Sequence, residues 1–316
     1  MNALRVISPG YLTTVQDLGR FSYAHLGISA AGAADPLSLR LGNLLAGNPE
    51  NTAALEMTLV GIEVEFEVEA VIALAGADME AAVGGQTIPL WRTVKIKPGQ
   101  VLRCGAALNG VRTYLCVQGG IDVPRIFGSA STHLMTGLGG FEGRPLRSGD
   151  LVPLKAPPSP VRFRPLQLDP KVSAYLKPQD ALRVTSGPQA DSFAREAQEI
   201  FYSSSYEISQ ESDRMGLRLK GPELPGTDAS GEILTEGVSL GAVQITHLGA
   251  PIILFVDHQT TGGYPKLANV VSSDMHTVGQ RRPRDIVSFE KVSLARAYEL
   301  HREQESLIHE HPVGSA

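Results

Sequence analysis

Glu63-Val-Glu-Phe-Glu-Val-Glu69 alternates acidic and apolar side chains over seven positions. That is the period of a β-strand with one wet face and one dry one. Working outward, short runs of strand-forming residues recur at 4–7, 12–16, 62–66, 70–75, 93–96, 101–103 and 113–117, broken by turn residues. One helix interrupts them, at 35–45. Asp35 suits its N-cap and Pro36 its first helical position, while Leu37, Leu41, Leu44 and Leu45 form an apolar stripe. Asn109-Gly110 predicts a two-residue hairpin turn. That register sets Cys104 opposite Leu115 and Cys116 opposite Arg103, so the two cysteines read as core or strand residues rather than a disulfide or a zinc set.

Residues 153–170 carry six prolines and no hydrophobic period, the signature of a connector. Beyond it the mixture repeats: strands at 181–185, 243–246, 251–256, 267–271 and 285–289, a helix over 191–200 and an amphipathic helix over 292–308. The tail HEHPVGSA is expected to fray. Strands do not alternate regularly with helices, which disfavours doubly wound and TIM-barrel folds and favours a mainly β chain. The predicted organisation is an N-terminal β domain at 1–155, a linker at 156–170, a C-terminal β domain at 171–291, and a helix with tail at 292–316.

The 316 residues include 33 glycines and 21 prolines, roughly a sixth of the chain against about an eighth on average, consistent with many turns. A net charge of −5 and few aromatics argue against nucleic acid or an acidic membrane as partner. No basic head with an apolar stretch opens the chain, and no apolar run approaches the ~20 residues of a bilayer span. A soluble cytoplasmic protein is expected.

Several motifs fail on context. Gly237-Val-Ser239-Leu-Gly241 fits G-x-S-x-G, but strand-forming residues follow it, so a turn before a strand is the better reading than a nucleophile elbow. There is no Walker A loop, H-E-x-x-H, CxxC or Met-Lys-Met, and no metal site is expected.

Two polar clusters remain. In Asp257-His258-Gln259-Thr260-Thr261-Gly262-Gly263-Tyr264-Pro265-Lys266 an apolar strand ends in a dense polar loop. Adjacent glycines allow unusual backbone angles, so their N–H groups can converge on an oxyanion or phosphate. Thr260, Thr261 and Gln259 add hydrogen-bonding groups and Lys266 a charge, the ingredients of a field that stabilises acyl or phosphoryl transfer. A glycine turn with surface threonines and a snorkelling lysine explains the same letters. Ser209-Gln-Glu-Ser212-Asp213-Arg214-Met215-Gly216 is the second cluster. Asp213 and Arg214 suit either the fixing of a substrate carboxylate or a capped turn with a surface ion pair. In the first half, 15–20 and 137–144 read as turns, and His25 and His133 as structural histidines.

The strings VQDLGR at 15–20, GN at 47–48 with Asn51, LE at 55–56, YLCVQGGIDVP at 114–124, GSAST at 128–132, SDRMG at 212–216 and QTTGGYPK at 259–266 resemble the allophanate hydrolase subunit 2, or biotin-dependent carboxyltransferase, family. Stand-alone bacterial members of that family include the C subunit of 5-oxoprolinase. The resemblance implies tandem cyclophilin-like β-barrel domains. It also implies a share in an ATP-dependent enzyme that opens 5-oxo-L-proline to L-glutamate. Its implied partners are the other two 5-oxoprolinase subunits, a small cyclophilin-like B subunit, with which ATP is engaged jointly, plus a hydrolase-type A subunit. On that basis Lys266, Gly262 and Gly263 are the expected oxyanion or phosphate stabilisers, while Gln259, Thr260, Thr261, Tyr264, Asp213 and Arg214 contact or order a lactam or amide substrate. In fused urea amidolyase relatives the same module moves carboxylate from carboxybiotin to urea, with biotin arriving on another chain or domain. A third role attached to the family is regulatory, antagonising a kinase inhibitor. Three positions depart from the pattern: Arg284 where glycine is common, His247 at a prolyl position, and Cys116 where alanine is frequent.

Overall fold

The computed structural model describes residues 2–156, 163–177, 179, 181–225, 233–310 and 312–315. The chain is mainly β, 33% strand against 19% helix. Contacts divide it into two compact units, the first of Met1–Arg20, Ala31–Leu176 and Leu307–Ala316, the second of Phe21–Ala30 and Lys177–Ser306. The middle of the proline-rich connector, 157–162, lies outside the described residues; further along, Leu166–Leu168 is a strand and Pro170–Tyr175 a helix.

In the first unit two sheets share one core. The six-stranded sheet runs Leu151–Pro153, Ala3–Ser8, Glu63–Phe66, Val101–Arg103, Ala82–Val83, Gln86–Thr87. The five-stranded sheet runs Leu12–Gln16, Ala54–Thr58, Arg112–Val117, Ala70–Gly76, Thr93–Ile96. Leu4, Val64 and Phe66 from one meet Leu55, Ile72 and Leu115 from the other in a single buried cluster. The alternation that begins at Glu63 holds as strand only to Phe66; Glu67, Val68 and Glu69 carry the chain across to the other sheet.

The far face of the five-stranded sheet is covered by the helix Pro36–Ala46. Its first turn is capped by Asp35, whose Oδ1 accepts from Ser38 N at 2.9 Å, and it ends on Gly47 in the left-handed conformation. Leu39 and Leu45 face Tyr114 and Cys116 on the sheet, while Leu37 and Leu41 pack on Leu168, Val172 and Ile308. Gly42 is the point of closest approach, where a Cβ would come within 2.8 Å of Cys116 Sγ.

Two expectations fail here. Val101–Arg103 and Arg112–Val117 are not a hairpin, because they belong to different sheets and pair with other strands. Both cysteines are nonetheless buried and free. Part of the tail expected to fray is a strand: Val313–Ser315 pairs antiparallel with Leu166–Leu168, supplying the backbone partners an edge strand needs.

The second unit is a closed seven-stranded barrel in the order Ala181–Ser186, Lys266–Val270, Ala242–Ile245, Pro251–Leu254, Gly216–Lys220, Tyr206–Ile208, Ile286–Lys291, closed by a parallel pairing of the last strand with the first. Phe201, from the helix Arg195–Ser203, stacks on Phe289 with ring centroids 4.4 Å apart. The long helix Leu294–Glu310 follows the barrel. Ser239 lies in the turn before Ala242–Ile245, donating to Asn269 Oδ1 at 2.8 Å, so it is not a nucleophile elbow.

Candidate functional site

The two polar clusters meet because their strands are barrel neighbours. Gly216–Lys220 pairs with Pro251–Leu254, with Gly216 opposite Leu254. Immediately beyond, Phe255 N donates to Met215 O and Asp257 N to Arg214 O. Arg214 then grips Asp257 through two bonds, Nε to Oδ2 at 2.8 Å and Nη2 to Oδ1 at 3.1 Å, with both side chains buried. A bidentate pair of this kind fixes orientation as well as charge. It pins the start of the polar loop to the SDRMG turn. Asp213 is exposed and spends its Oδ1 locally, accepting from Met215 N at 2.7 Å and Gly216 N at 3.2 Å. Arg214 thus holds an internal carboxylate, and Asp213 shapes the turn that presents it.

Within 257–266 the glycines are not a left-handed anion nest. Neither Gly262 nor Gly263 takes a positive φ. Thr261–Gly262 forms a two-residue ladder with Glu236–Gly237, extended by Val238 N to Thr260 O and Ile233 N to Gly263 O. The requirement at Gly262 is space, since a Cβ there would lie 2.8 Å from Gln244 Nε2. Gln259 and Thr261 are exposed, and Thr260 and Tyr264 are half-buried. Tyr264 O accepts weakly from Gln244 Nε2 at 3.4 Å.

Lys266 opens the strand Lys266–Val270 and is buried. Its Nζ donates to Glu236 Oε1 at 2.5 Å. Gln189 Nε2 donates to the same oxygen at 2.8 Å, and Gln189 Oε1 accepts from Lys266 N at 3.1 Å. The Lys266 bond, then Gln189 and the lysine's charge, hold the Glu236 carboxyl below its ordinary range. His258 closes the other end, its Nδ1 2.6 Å from Gln259 O. Burial lowers its pKa; the Gln259 carbonyl and the Asp257 charge pull the other way. The result is a buried ammonium and the Gln189 amide meeting at one carboxylate oxygen, with Gln244 the cross-strand partner of Lys266, in a setting able to receive an oxygen that bears negative charge.

The sequence singles out Lys266 and its loop but not Glu236, Gln189, Gln244 or the role of Asp257. Gln244, a lone amide between Val243 and Ile245 in an apolar strand, is the one legible hint. Glu236 and Gln189 lie 30 and 77 residues from Lys266, with nothing local to mark them.

In the first unit, VQDLGR and GSAST come together as a buried polar node. Asp17 accepts from Gly19 N, Ser129 Oγ, Ser131 Oγ and Ala130 N at 2.6–2.9 Å, which meets the needs of a carboxylate hidden from water. Arg20 Nη2 bonds Ser131 O. Asn48 bridges Val117 O and Gly119 N, tying GN to YLCVQGG, and Glu56 takes the Tyr114 hydroxyl at 2.6 Å and Ala34 N at 2.8 Å. These strings hold the fold together. Among the described residues no helix is long and apolar enough to cross a membrane, and no group of three or more His, Cys, Asp or Glu is placed to hold a metal.

Comparison with known proteins agrees with this architecture. The chain is 38% identical over 302 residues to the C subunit of 5-oxoprolinase from Escherichia coli, covering 96% of this chain and 95% of that protein. It is 33% identical over 327 residues to urea amidolyase of Saccharomyces cerevisiae, covering 97% of this chain but 17% of the relative. The crystal structure of Kluyveromyces lactis urea amidolyase superimposes with a TM-score of 0.90 at 32% identity, over 98% of this chain and 20% of that one. The family described as carboxyltransferase domain, subdomain A and B, matches residues 26–291. With buried staples and barrel alike spanned by these matches, the chain belongs to the carboxyltransferase-domain family, subdomains A and B.

Proposed function

We propose that this chain is one component of an ATP-dependent 5-oxoprolinase that opens 5-oxo-L-proline to L-glutamate, working in the cytoplasm with the small B subunit plus the A subunit. The observation that carries the reading is length: the match to the E. coli C subunit runs across nearly the whole of both proteins. Lys266 donates to the lactam oxygen as negative charge grows there during ring opening, a task suited to a buried cation. Gln259, Thr260, Thr261 and Tyr264 border the substrate, with Gly262 and Gly263 letting the loop pass close to Gln244 and the Ile233 carbonyl. Arg214 orders the loop through Asp257, and Asp213 braces that turn.

A triphosphate does not suit these residues. The glycines make no nest, and a single buried cation is outmatched by the several negative charges of a triphosphate. ATP is therefore assigned to the partner chains, and no step at this site runs through phosphate.

The second reading is carboxyl transfer from carboxybiotin, carried on another chain, to urea or a similar amide. It is favoured by the family match and the urea amidolyase superposition. A ureido or carboxylate oxygen suits Lys266 as well as a lactam oxygen does. The test is reconstitution with both partner subunits, supplying 5-oxoproline with ATP in one arm and urea with a biotin carrier in the other. Glutamate release that disappears in Lys266→Met is the expected result. Turnover only of urea selects the second reading, and undiminished turnover in Lys266→Met removes Lys266 from the chemistry. A purely regulatory role requires that no arm turns over.

A further inference from the structure

Lys266 carries its charge in a buried position. Its ammonium has three donors and, among the described residues, one acceptor, Glu236 Oε1. One hydrogen bond does not replace the hydration that a lysine loses on burial. The two partners also differ in setting: the Lys266 side chain is 4% exposed and that of Glu236 45%. Lys266 is part of the barrel wall, whereas Glu236 rides on a two-residue ladder outside it.

Gln189 belongs with the wall. Its Oε1 accepts from Lys266 N and its N donates to Lys266 O at 3.3 Å, so amide and lysine are fixed to one another without Glu236. Gly187 makes that approach possible, since a Cβ there would fall 2.2 Å from Lys266 O. Ammonium and amide therefore converge on one carboxylate oxygen, and the carboxylate is the removable member of the set.

We propose that Lys266 and Gln189 form a binding site for a small, singly charged planar oxyanion, a carboxylate, bicarbonate or carbamate, and that Glu236 fills it in the free chain as an internal substitute. One buried cation balances one negative charge, so a phosphate dianion is poorly matched. Ligand entry swings the Glu236 carboxylate into water, which costs little for a group already half exposed. The proposal rests on the reading of Lys266 as the substrate-facing cation and adds to it the ligand class and the residue that competes for the place.

A tethered competitor lowers apparent affinity by the fraction of time the site stands open. Removing its charge should therefore tighten binding. The experiment titrates the full-length chain with sodium acetate and with bicarbonate, at ionic strength held constant with sodium chloride, by calorimetry and thermal unfolding. Glu236→Gln should bind both anions about tenfold tighter than the unaltered chain, and its unfolding midpoint should rise more on acetate addition. Glu236→Asp should fall between. Lys266→Met in the Glu236→Gln background should abolish the effect, and inorganic phosphate should do no more than chloride. Equal or weaker anion binding in Glu236→Gln overturns the proposal, as does binding that survives Lys266→Met; phosphate binding as tight as acetate overturns the ligand class. If reconstituted turnover needs Lys266 yet Glu236→Gln binds anions no tighter, this inference falls and the functional reading stands. If turnover does not need Lys266, the functional reading falls.

Discussion

Asp257→Asn should be among the most damaging single substitutions in the barrel unit. It leaves the Arg214 guanidinium buried beside a neutral amide and turns one of the two carboxylate acceptors, 2.8 and 3.1 Å away, into an NH2 donor. A hydrogen bond to a charged group contributes about 1.5–3 kcal/mol, so losing one of the two and weakening the other costs at least that much. The direct figure for breaking a buried ion pair from one side is about 3–5 kcal/mol. The two routes agree, and against a total stability of about 5–15 kcal/mol the loss is large. Removing both charges has a different outcome. Arg214→Met with Asp257→Leu removes both charges together, and apolar replacements of buried pairs are often neutral, so the double variant should cost less than Asp257→Asn alone. Urea unfolding of Asp257→Asn and of the four chains of the Arg214→Met, Asp257→Leu cycle, followed by far-UV circular dichroism, measures the loss and the coupling. The difference should persist in about 0.5 M salt, because buried pairs are weakly screened. A loss under about 1 kcal/mol for Asp257→Asn, or a double variant that costs the sum of its parts, would refute the assignment of this pair as the anchor of the loop.

Arg284 has φ +77°, in the left-handed region that favours glycine. Arg284→Gly should therefore be about 0.5–1 kcal/mol more stable than Arg284→Ala, as both lose the side chain but only glycine relieves the backbone; a less stable glycine variant contradicts this. Burial pushes the Cys104 thiol up to about 12 and that of Cys116 higher still. Neither should react with an aromatic disulfide reagent at about pH 8 until the chain unfolds, and rapid labelling of the native protein would disprove their burial. His258 has a folded pKa below its unfolded value, so the folded state binds fewer protons. Its contribution is present above about pH 6.5 and is lost as pH falls below that value. His258→Gln should flatten the stability profile there, and an unchanged slope counts against it.

What a sequence reveals follows how each residue is used. A strand with one wet face, such as Glu63–Phe66, and a helix with Asp35-Pro36 at its start, announce themselves through local pattern. Ala54–Thr58 does not, because every residue in it is buried and Glu56 interrupts its apolar character for a hydrogen bond made 58 residues away. Asn109-Gly110 is a turn signal in any context, but where the next strand pairs depends on the core, and the core sends it to the other sheet. The polar loop at 259–266 stands out by composition. Its paired glycines suggest a dihedral requirement, whereas Gly262 answers a steric one set by Gln244. The electrostatic partner of Lys266, Glu236, is invisible in the sequence, since a single exposed glutamate carries no mark of what it faces.

The composition of the two units has a bearing on synthesis. Each unit owns a piece of chain that lies beyond the other: 21–30 belongs with the barrel, and 307–316 with the first unit. On the ribosome, the first unit can assemble most of its sheets early but must wait for Val313–Ser315 to cover the edge at Leu166–Leu168. The barrel, made later, draws on a segment translated near the beginning. Cutting the gene at the proline-rich connector would therefore yield two incomplete halves, each missing a strip encoded in the other, and expression of either alone should give an aggregation-prone product that co-expression of the two fragments rescues.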